Sequence, residues 1–514
     1  MNERYESIFT GIDAKVVAIP RSATPGAGGA LAIVENEVLA MTHRGKLYLV
    51  SEDGSYTESG ITLPDNGLSA FREAALKPQY ANFRHRFGKL RYNELEYLKG
   101  PEGGFLFTSY TEFHANEDCF TLSVMRLPLP KGRLIEMEIA ANVWERVFQS
   151  EPCLPLRGVN ASIQGEEAGG GIAFSNDGSK VFISVGEYGW NGWDSDGLTE
   201  MSKLQLAQLP QFDQGKIVEI DLSTLESRRI TSGHRNAQGL SMDSEGLLWS
   251  VEHGPRGGDE LNLVEEGNNY GWPIVTYGTD YNGSPIPGVT TPGFHGGYEK
   301  PVWSWLPSVG ISRLTAQQTP FHPTWDGDLL AISLNGRALF RIRVDDRRAV
   351  FVEKIEGFNR RLRDIEQDHD GRLVIWTDSH EVLFLVPISG GFGEQLVSRY
   401  IQELESSDAS LGAQLSEVVD QCSVCHSFNP NEHRDAPSLA QIHGARLGSV
   451  KAFDGYSQAL LNAQASWTDD HLSAFLRNPD LIVPGTSMPN PEIQDENVIE
   501  QLVLLLRALS EDDL

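Results

Sequence analysis

Five hundred and fourteen residues carry 42 basic and 71 acidic side chains, a net charge of −29 at neutral pH. That balance excludes a nucleic-acid binder, which needs clustered Lys and Arg to neutralise phosphate, and a protein that docks on an anionic lipid surface. With 40% hydrophobic and 22% charged residues the composition is that of an ordinary globular protein, so disorder as the dominant state is excluded as well. The first residues, Met1-Asn-Glu-Arg-Tyr-Glu-Ser, have neither the basic start nor the apolar run of a secretory leader. The longest apolar stretches, Val382 to Ile388 and Leu502 to Leu506, fall far short of the ~20 residues of a membrane span, and none is expected.

Up to Ser389-Gly-Gly-Phe-Gly393, a plausible linker, helical periodicity is nearly absent. Short β-rich runs alternate with Gly-containing turns, as in Gly45-Lys-Leu-Tyr-Leu-Val, Gly104-Phe-Leu-Phe-Thr-Ser, Lys180-Val-Phe-Ile-Ser-Val and Arg372-Leu-Val-Ile-Trp-Thr. One hairpin signature recurs at Asn176-Asp-Gly178, Asp243-Ser-Glu-Gly246 and His369-Asp-Gly371, with the glycines 68 and 125 residues apart. These are one and two units of a repeat of about 63–68 residues, which in an all-β region points to propeller blades. Residues 1–393 are expected to form six of them.

The densest run of unusual residues lies between Gly233 and Pro273. It holds Gly233-His-Arg235-Asn236, then Glu252-His-Gly254-Pro255-Arg-Gly-Gly-Asp259-Glu260, then Gly267-Asn-Asn-Tyr270-Gly-Trp272-Pro273. Loops this rich in Gly and Asn bring backbone carbonyls within reach of a ligand. The carbonyls of Gly254 and Pro255, with Glu260 and the Tyr270 backbone, are hard oxygen donors suited to Ca²⁺. Arg235, beside Asn236, is suited to gripping a carboxylate by its planar fork.

As a set these residues resemble the soluble aldose sugar dehydrogenase (glucose/sorbosone dehydrogenase) family, whose cofactor is pyrroloquinoline quinone (PQQ) and whose fold is a six-bladed propeller. The resemblance runs from about Gly26 to Asp378 and returns at Pro301-Val-Trp-Ser-Trp-Leu-Pro-Ser308 and Arg361-Leu-Arg363-Asp364. It implies that Arg235, Asn236, Arg361 and Arg363 hold the quinone, and that the Gly254 and Pro255 carbonyls bind a calcium that polarises it. It further implies a second, structural calcium at Glu260 and Tyr270. Three positions depart from the family. Its catalytic His falls on Glu167 and the usual Arg on Gly171, while a Lys that contacts the cofactor falls on Asn335. A carboxylate can act as general base if burial raises its pKa, so Glu167 is the candidate base, with Glu166, His253 and His234 as alternatives.

Of the four cysteines, two stand in Cys422-Ser-Val-Cys425-His426, a C-x-x-C-H run that reads as covalent attachment of a c-type haem. Thiols at i and i+3 on a helical turn reach the two vinyl groups of one porphyrin, and the following imidazole meets the iron. Met488, in Pro484-Gly-Thr-Ser-Met488-Pro, is the expected distal ligand, with His443 and His433 as competitors. Trp467-Thr-Asp-Asp opens a helix that Asn478-Pro479 ends, and a last helix carries Val498, Ile499, Leu502, Val503, Leu506 and Leu509 on one face. From Ala413 to Leu509 the chain resembles a small mono-haem class I cytochrome c, so residues 394–514 are expected to be a linker helix and an all-α cytochrome domain. The resemblance implies an exported, periplasmic protein whose leader is absent from this chain, and in that oxidising compartment Cys119 and Cys153 can pair as a disulfide.

Together these readings lead to an expected quinohaemoprotein dehydrogenase containing PQQ, Ca²⁺ and haem c. A sugar or related alcohol is its substrate, and an external cytochrome or oxidase takes the electrons. The alternative is a catalytically degenerate propeller that serves as a docking module for the cytochrome. From Ile401 onward 18 acidic residues face 5 basic ones, a charge that would steer a basic acceptor.

Overall fold

Gly178, Gly246 and Gly371 have φ of 68°, 82° and 81°, a backbone conformation that glycine adopts without steric cost. Each turns the innermost strand of a sheet into the next one outward: Gly169–Phe174 into Lys180–Val185, Ala237–Met242 into Leu248–Glu252, and Leu362–Gln367 into Leu373–Thr377. The repeat in the sequence is therefore one hairpin recurring at one place in blades 3, 4 and 6. The computed structural model describes residues 2–511 except 9, 21–26, 78–89, 102, 157–166, 193–202, 290–292, 389–391, 431, 441 and 451–452.

Six antiparallel sheets form the blades of a β-propeller. Their inner strands begin at residues 29, 92, 169, 237, 311 and 362, and each lies against the next, the sixth against the first. The intervals run from 51 to 77 residues, wider than the expected 63–68 because the turns and outer loops differ from blade to blade. The ring is closed by the chain's start: Gly11–Ala18 pairs with Glu381–Pro387, and Asn2–Glu6 adds the outermost strand of blade 6. The second strands Leu248–Glu252, Leu329–Ser333 and Leu373–Thr377 are buried along their whole length, because both faces pack against neighbouring blades. Between blades 5 and 6, for example, Leu330, Ile332 and Leu339 meet Ile365, Leu373 and Ile375. In blade 2, Cys119 and Cys153 are joined as a disulfide with their Cα atoms 5.6 Å apart.

The chain separates into two compact units, residues 1–387 and 388–514. The expected linker at Ser389–Gly393 lies mostly outside the described residues, and its last two residues open the helix Phe392–Ser407. That helix contributes Leu396, Val397 and Ile401 to the core of the second unit. There they meet the helices Ala409–Ser423 and Glu496–Glu511, whose Val498, Ile499, Leu502, Val503, Leu506 and Leu509 are all buried, as the periodicity predicts. Thr468 caps the helix Asp469–Arg477 by accepting from His471 N. Asn478 ends it and at once caps the short helix Pro479–Ile482 through Leu481 N, 3.2 Å. Among the described residues no helix is long and apolar enough to cross a membrane.

Candidate cofactor sites

The inner strands of blades 2 to 6 share an irregularity that the sequence does not advertise. Each carries a β-bulge in its first residues, at Asn93, between Gly169 and Ile172, and at Gln238, Ser312 and Arg363. A bulge leaves one residue unpaired and re-aims its side chain. Asn93, Gln238, Ser312 and Arg363 accordingly line one polar cavity, together with Gly28, Gly29, Arg91 and Gly169. The same cavity is lined by Arg313, which is gripped by Glu94 (2.6 Å), Glu96, Asp364 (3.2 Å) and Glu366 (3.5 Å) from blades 2 and 6.

Arg363 is held in place by Asp378, which accepts from Nε and Nη2 at 2.9 Å each; Arg361 Nε reaches the same carboxylate at 2.8 Å. Burial opposes the Asp378 charge, but Arg363 and Arg361 outweigh it and hold the carboxyl down at about 2. Arg235 is buried, lies over the Trp272 ring, and donates to the carbonyls of His253 and Gly254 at 3.2 Å each. Its Nη2 closes on Glu167, so the candidate base stands in an ion pair with a candidate cofactor residue. Glu166 lies outside the described residues. Asn236 Oδ1 accepts Gly169 N at 3.1 Å and so ties blade 4 to the bulge of blade 3. Asn335 is exposed on a turn. Gly171 leaves no space for the family's Arg: a Cβ there would stand 2.5 Å from the Gln238 carbonyl oxygen.

The alternative bases differ sharply. His234 has both ring nitrogens engaged, Nδ1 with Glu252 (3.1 Å) and Nε2 with Thr231 (2.9 Å). His253 has a buried Nε2 without a hydrogen-bond partner among the described residues, and the ring interacts electrostatically with both Arg235 and Arg363. Asp259, which the sequence reading passed over, accepts from the amides of Val309 (2.9 Å), Gly310 (2.6 Å) and Ile311 (3.1 Å) and from Gly254 N (3.1 Å). It thereby fixes the Gly254–Pro255 turn against the entrance to blade 5. Glu252 and Glu260 are neighbours on opposite terms. His234 counters the burial of Glu252 and holds its carboxyl low, whereas burial and Glu252 itself push Glu260 well above the usual carboxylate range. Glu260 lines a small cavity with Gly254, Gly258, Tyr270 and Thr276. A buried carboxylate without a cationic partner, beside backbone carbonyls, is a donor set that fits a cation. Arg363 in the axial cavity, and Arg235 with the orphaned His253 nitrogen in a second cavity, likewise fit anionic groups, whereas Arg361 is exposed and lines neither.

In the second unit, Cys422, Cys425, His426 and Met488 line a largely apolar cavity of about 340 Å³ with Trp467, Phe475, Leu502 and Leu506. Cys422 O accepts from His426 N at 2.9 Å and from Cys425 N at 3.2 Å, so one turn carries all three residues. The His426 ring donates from Nδ1 to Pro437 O, 2.7 Å, which leaves Nε2 for a metal and fixes the ring's orientation. His443 is engaged elsewhere, by Asp469 at 2.7 Å, and His433 accepts Ser438 N while packing on Phe453. Neither borders the cavity. The cavity, its two free thiols and its nitrogen and sulfur donors fit a haem.

The glucose/sorbosone dehydrogenase family model matches residues 99–385. Aldose sugar dehydrogenase YliI of Escherichia coli (strain K12) is 32% identical over 273 residues, 50% of this chain and 67% of its own length. An uncharacterized protein, slr1608 of Synechocystis sp., is 36% identical over 151 residues, 29% of this chain but only 36% of its own length. Cytochrome c2 of Blastochloris viridis is 29% identical over 122 residues, 24% of this chain and 93% of its own. A crystal structure of a glucose dehydrogenase superposes with a TM-score of 0.53 at 26% identity, covering 73% of this chain and 99% of that one. The chain belongs to the glucose/sorbosone dehydrogenase family, with a cytochrome c domain following the six-bladed propeller.

Proposed function

We propose that the protein is a quinohaemoprotein oxidoreductase that oxidises a sugar or related alcohol in the propeller and delivers the electrons through its own cytochrome c domain to an external acceptor. The observation that carries this reading is Arg363, set by its bulge into the axial cavity of a family propeller and locked there by Asp378. Bound there and in the cytochrome cavity, PQQ supplies a two-electron acceptor and haem c a one-electron carrier. Arg235, Asn236, Arg361 and Arg363 are the residues to hold the quinone carboxylates. The Gly254 and Pro255 carbonyls are those to hold a polarising Ca²⁺, and Glu260 with Tyr270 those to hold a second cation. Cys422 and Cys425 would attach the haem, His426 and Met488 ligate its iron.

Glu167 is our choice for the base that takes the substrate's hydroxyl proton. It is paired with Arg235, and engagement of that guanidinium by an anionic ligand would leave the carboxylate free to accept. The same pair favours a second reading, a propeller in which Glu167 neutralises Arg235 for good and the quinone is no longer bound. Covalent haem attachment implies that the protein works outside the cytoplasmic membrane. The test is reconstitution of the haem-loaded protein with PQQ and Ca²⁺, followed by a screen of sugars and alcohols for haem reduction in the visible spectrum. Reduction that needs both additions supports the dehydrogenase; failure to bind PQQ supports the second reading.

A further inference from the structure

The loop between the third and fourth strands of blade 4 carries a histidine that neither the haem nor the quinone site uses. His295 is 2% exposed, and neither ring nitrogen has a hydrogen-bond partner among the described residues. Its ring is stacked on Tyr277, centroids 4.4 Å apart and planes 23° from parallel, so the imidazole is held in one orientation. That orientation brings Nε2 to 3.9 Å from Glu260 Oε1. The other carboxylate oxygen of Glu260 receives only the Asn262 amide, at 3.3 Å, and no Lys or Arg pairs with Glu260 among the described residues. An orphaned buried imidazole facing an uncompensated buried carboxylate is an arrangement that a cation between them would satisfy on both sides.

We propose that Glu260 and His295 are ligands of one divalent metal ion, and that His295 makes this site prefer Zn²⁺ to Ca²⁺. The proposal rests on the reading of Glu260 as a cation ligand and changes the ion. Calcium takes oxygen ligands, whereas an imidazole nitrogen suits zinc and its first-row neighbours. Two ligands at ~2.0–2.1 Å from a tetrahedral zinc stand ~3.3 Å apart, so the present separation needs to close by only about half an ångström. The remaining positions would fall to solvent in the small cavity that Glu260 shares with Glu252, Gly254, Gly258, Tyr270 and Thr276, Arg235 lying on its wall as well.

The experiment uses the full-length, haem-loaded protein, in which the Cys422 and Cys425 thiols are already consumed. It is stripped with chelator, titrated calorimetrically with Zn²⁺ or Ca²⁺ alone, and its metal content measured after dialysis. The wild type is expected to bind Zn²⁺ at least ~10-fold more tightly than Ca²⁺ at one site. His295→Phe, which keeps the stack on Tyr277, should lose Zn²⁺ affinity by roughly 100-fold while Ca²⁺ binding is retained. Glu260→Gln should lose both ions. Melting curves in chelator, alike for the three proteins, show that the variants fold. Unchanged Zn²⁺ affinity in His295→Phe, with both ions lost in Glu260→Gln, overturns the role of His295 and leaves an oxygen-only site. Both ions retained in Glu260→Gln overturns the cation reading itself.

Discussion

Asp378 and Arg363 face one another fork to fork, Oδ1 to Nε and Oδ2 to Nη2, both at 2.9 Å. A bidentate pair of this kind fixes direction as well as charge. It determines where the guanidinium enters the axial cavity, and the same carboxylate receives Gly28 N from blade 1 at 3.1 Å, so it also stitches the last blade to the first.

Asp378→Asn should therefore destabilise the propeller by about 3 kcal/mol in urea denaturation, because it removes the paired charge of Arg363, whose side chain is only 10% exposed. The carboxyl is held at about 2 when folded, against an ordinary value of 3.8. A depressed acid lends its stability above the ordinary value and loses it as the pH falls through the folded one. The wild type should keep this contribution of about 2 kcal/mol down to pH 4 and lose it by pH 2. The variant should lack that step in its pH–stability curve.

The haem site makes a separate prediction. Replacing Cys422 and Cys425 by Ala should leave a pigment extractable into acidified solvent. Met488→Ala should keep the haem attached, lower its reduction potential and open the sixth position to added cyanide or imidazole. An unchanged spectrum in Met488→Ala would overturn the ligand, since His443 and His433 are already committed to Asp469 and Ser438.

The cytochrome unit was readable from sequence because its chemistry is local: Cys422, Cys425 and His426 share one helical turn, and a spacing records that. The three Gly178-type hairpins were readable for the same reason. Closure of the ring was not, because it pairs Ile12 with Pro387 across almost the whole propeller, and no local pattern registers such a partner. Nor were the bulges at Asn93, Gln238 and Ser312, where an extra residue leaves no compositional mark. Asp259 and Asp378 were missed because an acid that orients another residue looks, in sequence, like any surface acid. Glu167 was found by position alone, and its pairing with Arg235 depends on two blades meeting.

Lys216 is another residue whose importance only the fold reveals. Its buried ammonium donates to the carbonyls of Leu206 (3.0 Å), Ala207 (2.8 Å) and Gln214 (3.0 Å), and Ala207 O also receives Gly233 N at 2.9 Å. It thus clamps the loop that supports Gly233 to Arg235. Lys216→Met should destabilise the propeller by about 1–3 kcal/mol, because Gln214 O loses its partner while Leu206 O and Ala207 O keep Leu209 N and Gly233 N. Quinone affinity should fall with it, read by fluorescence titration at a temperature where the variant is folded.

Glu167→Gln carries the sharpest test of the catalytic proposal. A positioned base accelerates removal of a hydroxyl proton by about 10²–10⁴-fold. The substitution keeps the shape of the side chain and its hydrogen bond to Arg235 while removing the charge. If Glu167 is the base, haem reduction by substrate should fall by two or more orders of magnitude, in the maximal rate rather than in the substrate concentration for half-saturation. Quinone binding should hold or tighten, because the Arg235 guanidinium is no longer neutralised by a carboxylate. Turnover that is unchanged, with quinone bound, would remove Glu167 from the reaction. His253 would then be the next residue to replace, since it alone of the two alternative histidines keeps an unengaged ring nitrogen among the described residues. If turnover and quinone affinity were instead both lost, the pair with Arg235 would be a structural prop of the cofactor pocket, and the rate loss would carry no information about proton transfer.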